Sequence, residues 1–281
     1  MCEFCHQHGE GKKWYLQAKN YSDDLLSDLK RRDYIRDFLL YPEHKVEGVE
    51  KLKMFRSLPG FVQAVVNPFV TDRMRKSHFG QVVPLEECGK IFESLSSIVR
   101  IACYCRHSTT STEQRYCYCL SAAPNGGKMA QIIRDVDVSY LTGPDTSGLE
   151  LLTPAQAMAS FKEHESEGLI HTVWTFVAPF IGAICNCDRT DCLAMRATVG
   201  YNFPLMFRSE FVATVDHSLC SGCRQCMQAC QFGALEYSAA TKKMRIDPTR
   251  CYGCGICRAK CEKQAISLRD RASVPAAARL W

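Results

Sequence analysis

A run of four cysteines occurs twice in the last third of the sequence, and this repeat constrains the fold more than any other feature. Each run has the spacing C-x2-C-x2-C-x3-C, and the likeness extends past the last cysteine to Ala234 and Ala265. An internal repeat of this length indicates two copies of one binding unit. The runs are Cys220, Cys223, Cys226 and Cys230, followed by Cys251, Cys254, Cys257 and Cys261.

The spacing of these cysteines suits an iron–sulfur cluster. Three thiolates separated by two residues on a tight loop can reach three irons of one cubane, and the fourth cysteine begins a short helix directed at the other half. Gly222, Gly253 and Gly255 suit a loop that wraps closely around a cluster. Paired C-x2-C segments also make zinc ribbons, which leaves structural zinc as the alternative. Two interleaved runs of four favour iron and sulfide.

Residues from about 212 to 270 resemble the bacterial two-cluster ferredoxins, in which the fourth cysteine of each run ligates the cluster of the other run. Where that family has proline after the fourth cysteine, this sequence has Gln231 and Glu262. We therefore expect the local turn and the reduction potential to differ. The resemblance implies two [4Fe-4S] clusters, one ligated by Cys220, Cys223, Cys226 and Cys261 and the other by Cys251, Cys254, Cys257 and Cys230.

The composition is that of a globular protein with an unusual amount of cysteine. Of 281 residues, 46% are hydrophobic and 23% are charged, which is enough to bury a core. The chain is too long to be a small secreted scaffold held by disulfides, so its 18 cysteines predict metal sites. The first residues lack an apolar signal segment, and we therefore expect a cytoplasmic protein.

Neither charge nor hydropathy predicts a nucleic-acid partner or a membrane span. The formal net charge is +5, but clusters ligated by cysteinates are anionic and would offset this basic balance. The longest apolar run, residues 169 to 185, is interrupted by His171, Pro179 and Gly182. It falls short of the roughly 20 residues that a membrane helix needs. Buried strands are the better interpretation of this run.

Four cysteines in the middle of the chain predict a third cluster. Cys103 and Cys105 form one C-x-C pair, and Cys117 and Cys119 form another. On extended segments the two cysteines of a pair point to the same face, so two pairs across a hairpin-like loop would present four thiolates to one cubane. Arg106 and Arg115 flank the pairs and would offset the cluster charge. A zinc site and unligated thiols are the alternatives.

A further group, made of Cys185, Cys187 and Cys192, is one thiolate short of a cubane site. The missing ligand could come from the N-terminal segment, from Cys88 or from a group other than cysteine. A complete electron-transfer cluster with a distant fourth cysteine is the favoured interpretation. An iron without a protein thiolate would instead be open to a small molecule, which is the arrangement of a catalytic cluster.

The N-terminal segment contains the pattern C-x-x-C-H, formed by Cys2, Cys5 and His6. This is the pattern of c-type haem attachment, which requires export, and the sequence offers no export signal. Two thiolates and an imidazole are better interpreted as ligands for iron or zinc. Lone Cys88 falls within a predicted helix, where a small buried apolar role is the default for a free cysteine.

Periodicity and capping signals predict an α+β fold, with a cysteine-rich N-terminal α/β body followed by a dicluster ferredoxin-like domain. The predicted helices cover about residues 22–40, 84–98 and 153–168, and the predicted strands cover 97–102 and 170–177. The expected parts are 1–80, an N-terminal helical segment with the Cys/His motif; 81–211, a cysteine-rich α+β domain; 212–270, the two-[4Fe-4S] ferredoxin domain; and 271–281, a C-terminal tail.

The order of motifs across residues 82–200 is similar to the cysteine-rich front half of longer ferredoxin-type proteins of anaerobes. In those proteins a C-x-C-R segment, a C-L segment and an I-C-N-C segment precede two ferredoxin repeats. Here the segments start at Cys103, Cys119 and Ile184. This resemblance implies an electron carrier of anaerobic metabolism without naming a reaction.

These observations predict an iron–sulfur electron-transfer protein, or a subunit of an oxidoreductase complex, that relays single electrons through several [4Fe-4S] clusters between redox partners. The sequence has no dinucleotide or flavin fingerprint, so we expect a flavoprotein among the partners. One or two clusters are expected in addition to the two of the repeat, with zinc possible at the N-terminal sites. No catalytic residue is assigned. The alternatives are an enzyme with an open iron at the Cys185, Cys187 and Cys192 group, and a redox or metal sensor.

Overall fold

A seven-stranded mixed sheet forms the centre of the computed structural model, which describes residues 13–280. Its strands are β1 (Gly80–Val82), β2 (Ser97–Ile101), β3 (Cys117–Ser121), β4 (Glu150–Leu152), β5 (Ile170–Thr175), β6 (Ile181–Cys187) and β7 (Met206–Phe207). They lie in the order β4-β2-β3-β6-β5-β1-β7. Neighbouring strands are antiparallel except for β1 and β7, which are parallel.

Helices surround this sheet and connect its strands. They are α1 (Leu29–Leu40), α2 (Pro42–Lys51), α3 (Lys53–Arg56), α4 (Gly60–Lys76), α5 (Leu85–Glu93), α6 (Tyr104–Thr110), α7 (Gly127–Val136), α8 (Ser139–Thr142), α9 (Pro154–Glu167) and α10 (Leu193–Met195). None of the helices within residues 13–280 is long and apolar enough to cross a bilayer.

The end of the chain folds as two small two-stranded sheets with one short helix from each cysteine run. The elements are β8 (Phe211–Val215), α11 (Gln225–Ala229), β9 (Leu235–Ser238), β10 (Lys243–Ile246), α12 (Ile256–Ala259) and β11 (Ile266–Asp270). Strand β8 pairs with β11, and β9 pairs with β10, both antiparallel. Because β8 and β11 lie at opposite ends of this segment, their pairing closes the two halves around one core. With the helices and strands described above, the α+β prediction is confirmed.

The central sheet is buried on both faces, and its strands alternate between two apolar cores. Along β3, Cys117 and Cys119 face one core, whereas Tyr118 and Leu120 face the other. This alternation follows from the two-residue repeat of a strand. The thiols of the middle of the chain therefore lie on one face of the sheet, together with Ile35 of α1.

Two predicted helices differ from those observed. The helix predicted over 22–40 is interrupted: Asp23–Ser27 form 3-10 turns, and α1 begins after Asp28, whose side chain accepts a hydrogen bond from the N–H of Lys30. The helix predicted over 84–98 ends at Glu93, because the chain from Ser97 onward pairs with β3. The capping box of Thr153 and Gln156 forms as predicted and begins α9.

The first residues of the C-terminal tail pack against the small sheets that precede it. Arg271 is buried and donates hydrogen bonds to the backbone carbonyls of Ser209, Phe211 and Cys251. Ala277 is also fully buried in the same core as the repeated cysteines. Residues 271–277 of the tail are therefore part of the fold that supports the second cysteine run.

Candidate metal centres

The eight cysteines of the repeat surround two cavities, and each cavity draws its cysteines from both runs. Cys261 of the second run lies with three cysteines of the first run around a cavity of about 230 Å³. Cys230 of the first run lies with three cysteines of the second run around a smaller cavity of about 20 Å³, which Phe232 and Tyr252 help to close. The groups are Cys220, Cys223, Cys226 and Cys261, and Cys230, Cys251, Cys254 and Cys257.

Two glycines allow the backbone of each run to turn tightly. Gly222 has a φ of +73° and Gly253 a φ of +70°, a region that residues with a Cβ rarely adopt. A Cβ on Gly222 would lie 2.3 Å from the carbonyl oxygen of Lys242, and one on Gly253 would lie 2.0 Å from that of Phe211. Both positions therefore require glycine for space as well as for conformation.

Backbone N–H groups are directed at the sulfur atoms in both halves. The N–H groups of Ala234 and Ala265, the two alanines that the repeat shares, each lie 3.3 Å from a sulfur, that of Cys230 and that of Cys261 respectively. Burial raises the pKa of the Cys226 thiol to about 11 and that of Cys254 to about 12. Buried thiolates with N–H donors need a compensating cation, so this donor set fits iron–sulfur clusters.

Comparison with known proteins identifies this part of the molecule. The family model of the 4Fe-4S dicluster domain matches residues 213–265, which include all eight cysteines of the repeat. The chain contains a two-[4Fe-4S] ferredoxin-type domain. Which cysteine ligates which cluster of this ferredoxin-type domain stays a prediction, for which the two cavities supply the geometry.

The curated relatives match this chain over only a short stretch. The archaeal-type glutamate synthase [NADPH] of Thermotoga maritima is 35% identical over 60 residues, which is 21% of this chain and 12% of the relative. The indolepyruvate oxidoreductase subunit IorA of Thermococcus kodakarensis is 43% identical over 42 residues, 15% of this chain and 6% of the relative. No solved structure matches the chain. The ferredoxin-type domain and these relatives support iron–sulfur electron transfer.

Outside the ferredoxin-type domain, seven cysteines line one large cavity of about 440 Å³. The sequence divided them into two sites, but the structure brings both sets to the same cavity because β3 pairs with β6. In that pairing Cys117 lies opposite Cys185, and their sulfur atoms are 3.3 Å apart. The seven are Cys103, Cys105, Cys117, Cys119, Cys185, Cys187 and Cys192.

Six of the seven thiols form a continuous series of sulfur contacts, from Cys185 through Cys117, Cys103, Cys105 and Cys192 to Cys187. Contact with neighbouring thiols holds the pKa of Cys103 and of Cys192 well below the usual range for a thiol. The same contacts, together with burial, raise the pKa of Cys105, Cys117 and Cys187 well above that range. The group is thus poised to bind a cation through thiolates.

Of the two C-x-C pairs expected on extended segments, one is extended as predicted, and the further pair of Cys185 and Cys187 is extended as well. Cys117 and Cys119 lie on β3, and Cys185 and Cys187 lie on β6. The extended prediction is wrong for Cys105, because α6 begins at Tyr104 and only Cys103, its N-cap residue, remains extended. The helix directs Cys105 toward Cys192, the N-cap residue of α10.

One arginine supports this thiol group electrostatically. Arg106 lies 3.7 Å from the sulfur of Cys103, donates to the carbonyl of Asn186 and forms an ion pair with Asp188. Arg115, which was also expected to offset cluster charge, instead bonds Glu113 and two backbone carbonyls. Arg106 thus places its positive charge beside the thiols and is itself buried.

The remaining cysteines do not join these groups within the described residues. Cys88 is fully buried on α5, in the core on the opposite face of the sheet, where burial raises its pKa well above the usual value. Cys2, Cys5 and His6, predicted as metal ligands, lie outside the described residues, so their role stays a prediction. Within residues 13–280, no group of three or more His, Cys, Asp or Glu side chains is arranged to hold a single metal ion.

Several functional candidates in the large cavity carry no sequence motif. His78 lines the cavity beside Trp174, with the ring centroids 5.1 Å apart, and Phe38 stacks on Tyr104 at 4.4 Å. Trp174 lies directly over Gly80, whose missing side chain makes room for the indole. Because these residues come from distant parts of the chain, only the folded sheet brings them together.

Proposed function

We propose that this chain relays single electrons between redox partners through at least three iron–sulfur sites arranged in sequence. In this proposal the ferredoxin-type domain (212–270) holds two [4Fe-4S] clusters, and the cysteine-rich domain (81–211) holds a further iron–sulfur site at its seven-thiol cavity. The observation that carries the proposal is the packing of the second cysteine run against the core that contains the seven thiols. When bound, the clusters supply one-electron oxidation and reduction.

The contact between the two parts is built from residues beside the cluster ligands. Tyr252, Cys254 and Phe232 pack against the apolar core that includes Cys103, Cys117, Cys187 and Cys192, and Ile256 is buried in it. Phe232 and Tyr252 stack with ring centroids 3.9 Å apart. Apolar packing excludes water from the path between the two sites and fixes their separation. This supports electron transfer from the Cys251 site to the body.

Polar contacts also join the two parts. Gln231, which stands where the ferredoxin family has proline, donates to the carbonyl of Gly168 over 2.6 Å. Lys260 donates to the carbonyl of Ser166 over the same distance, and Arg258 forms an ion pair with Glu86. The departure from the family pattern at Gln231 thus has a physical reason, since proline has no side-chain donor.

The other end of the relay is open to solvent. Cys223 is exposed, and the neighbouring Leu219 exposes 53% of its surface. The cavity of the Cys220 site also includes Lys263 and Glu262 in its wall. This supports entry or exit of electrons at the Cys223 loop, where an external partner could approach one cluster closely.

The identity of the partners is part of the proposal. The chain has no dinucleotide or flavin fingerprint, so a partner, for which a flavoprotein is the natural choice, would convert two-electron chemistry into single electrons. The curated relatives named above are oxidoreductases, which supports a place in an oxidoreductase complex. We further propose a cytoplasmic location and a role in anaerobic metabolism.

The test is iron and sulfide analysis with electron paramagnetic resonance (EPR) on anaerobically prepared protein. Two clusters in the ferredoxin-type domain and one or two in the rest of the chain predict about 12 to 16 irons per chain. Zinc is measured in the same sample. A content near eight irons, with zinc present, would contradict a cluster at the seven-thiol cavity and favour a ferredoxin-type domain fused to a zinc-stabilised body.

An enzyme with an open iron at the Cys185, Cys187 and Cys192 group is the second candidate. It is favoured by the size of the large cavity, which extends beyond the thiols to an aromatic region. Turnover of a small molecule by the isolated protein, with electrons from a reduced dye, would support this candidate. Reduction of the protein by the dye without turnover supports the relay.

A further inference from the structure

Two sets of side chains of different chemistry line the large cavity. One set is the seven thiols, and the other contains aromatic rings that contact one another. We call the parts of the cavity that these sets line the thiol half and the cysteine-free half. At about 440 Å³ the whole cavity is nearly twice the volume that the four cysteines of the Cys220 site enclose. The cysteine-free half therefore offers space in addition to that of a metal site.

This second half has the character of a small-molecule site. It is walled by Tyr34, Phe38, Val49, His78, Trp174 and Phe176. Pockets of 300–1,000 Å³ with apolar walls and few polar groups are typical sites for organic ligands.

One polar group in the cavity wall, the hydroxyl of Tyr104, lacks within the described residues the hydrogen bond that a buried hydroxyl normally makes. The hydroxyl of Tyr104 is buried without a hydrogen-bond partner among residues 13–280, and the residue exposes only 7% of its surface. A buried hydroxyl without a hydrogen bond costs free energy. Its position beside a cavity therefore indicates that an atom of a ligand makes the missing hydrogen bond. Tyr104 stacks on Phe38, which places its ring where the thiol half meets the aromatic half.

A positive charge stands at the aromatic half. The ammonium of Lys45 lies 5.8 Å from the ring centre of Tyr34 and 5.6 Å from that of Phe38. Lys45 is half-buried and, within the part of the chain that the structure describes, takes part in none of the ion pairs. An ammonium without a carboxylate at the wall of an apolar cavity is suited to an anionic group of a ligand.

The neighbouring histidine adds no charge. The Nδ1 of His78 lies 2.5 Å from the carbonyl oxygen of Thr175, and because a carbonyl only accepts, Nδ1 carries the proton. Burial lowers the pKa of His78 to about 4. The ring is therefore neutral near pH 7, and it packs against Trp174 and Phe176 as part of the apolar wall.

We propose that the cysteine-free half of this cavity binds a planar aromatic carboxylate, with its ring between the aromatic side chains, its carboxylate near Lys45 and a hydrogen bond to Tyr104. The bound molecule would lie next to the seven-thiol group. The site consists of protein side chains alone, so binding does not depend on which cluster, if any, the thiols hold.

The test is isothermal titration of the anaerobically prepared holoprotein with 2-naphthoate and with its neutral isostere 2-naphthamide. We expect one site per chain that prefers 2-naphthoate. K45M should weaken binding of 2-naphthoate about tenfold, the typical effect of losing one charge-assisted contact, and leave 2-naphthamide unchanged. V49W should fill the cavity and abolish binding of both compounds. V65W is the matched control, since Val65 is exposed on α4 and outside the cavity wall.

If V49W does not fold, as judged by circular dichroism, M74W fills the same cavity from a different helix. Absence of binding, or binding that V49W or M74W leaves intact, would overturn the proposal. Equal affinity for the acid and the amide, unchanged by K45M, would overturn the choice of an anion. Iron content and EPR of the same samples report separately on the thiol group, so failure of the relay proposal would be distinguishable.

Discussion

At the scale of single residues, the tight turns of the cysteine runs depend on the absence of a side chain. Gly222 and Gly253 occupy equivalent places in the two runs, and each lies against a backbone carbonyl that cannot move like a flexible side chain. A methyl group at either position would therefore force the backbone itself to move.

We expect G253A to destabilise the protein by more than about 1 kcal/mol, because the substituted residue is strained and clashes with the carbonyl of Phe211. The signal of the Cys251 site should be lost or broadened in EPR, while that of the Cys220 site remains. G222A should have the opposite pattern. G60A is the control, because no atom lies within 4 Å of the added methyl group. Equal loss of both signals in G253A would contradict independent turns.

A buried histidine links the stability of the body to pH. His164 lies against Tyr118, whose hydroxyl is 2.9 Å from Nε2, and burial, followed by the charges of Arg100 and Arg106, lowers the pKa of His164 to about 4. In the unfolded chain a histidine titrates near pH 6.5. As the pH falls from 6.5 toward 4, the unfolded state binds a proton that the folded state does not, so stability decreases.

We therefore expect H164Q to reduce the loss of stability between pH 7.5 and pH 5.5 by about 1 kcal/mol, after allowance for screening by solvent. The measurement is guanidinium unfolding of the anaerobic protein at several pH values. Above pH 7.5 the histidine is neutral in both states, and the pH dependence of the variant and of the original protein should coincide there. A variant with an unchanged slope below pH 6.5 would contradict the assignment.

At the scale of elements, each short helix of the ferredoxin-type domain serves both cavities. Helix α11 carries Cys226 toward the Cys220 site, and the chain leaves it at Cys230, which lines the other cavity. Helix α12 packs on α11 and leads to Cys261 in the same manner. The two halves are therefore held together through their helices as well as by the pairing of β8 with β11.

Replacement of Cys230 by serine should remove the cluster that we expect Cys251, Cys254 and Cys257 to ligate with it. We expect C230S to lose about four of the eight irons of the domain, together with the signal assigned to the Cys251 site. C226S, on the same helix, is the matched comparison and should lose the signal of the Cys220 site. If C230S and C226S lose the same signal, the interleaved ligand assignment is wrong.

Elements that depend on a short local pattern could be predicted from the sequence. Features that depend on the pairing of distant strands could not. The capping box at Thr153 and the extended segments at Cys117 and Cys185 follow from short patterns. The helical turn at Cys105 does not, since the same C-x-C spacing lies on strands elsewhere in the chain. The joining of seven thiols around one cavity depends on the order of strands in the sheet, which no local pattern contains.

At the scale of the whole molecule, the proposed relay would start at an exposed site and end at a buried one. Cys223 faces solvent at the Cys220 site, whereas Tyr252 and Cys254 of the second run pack against the body. Of the seven body thiols, five are buried and two are half-buried, and none is exposed. An external protein donor would thus reach the body thiols through both ferredoxin-type clusters in turn.

Interrupting the middle of this path should isolate the body while leaving the entry site active. In C254S, we expect a reduced protein donor that docks at the Cys223 loop to reduce the Cys220 cluster at an unchanged rate. Reduction of the proposed body cluster should be at least about tenfold slower, because the variant lacks the cluster that would carry electrons between the two. Rapid-freeze EPR after mixing resolves the two steps. C88A is the control, since Cys88 is buried in the opposite core and belongs to neither path nor cavity. Reduction of the body cluster at the original rate in C254S would show that electrons enter the body by another route, and the serial arrangement would then be wrong.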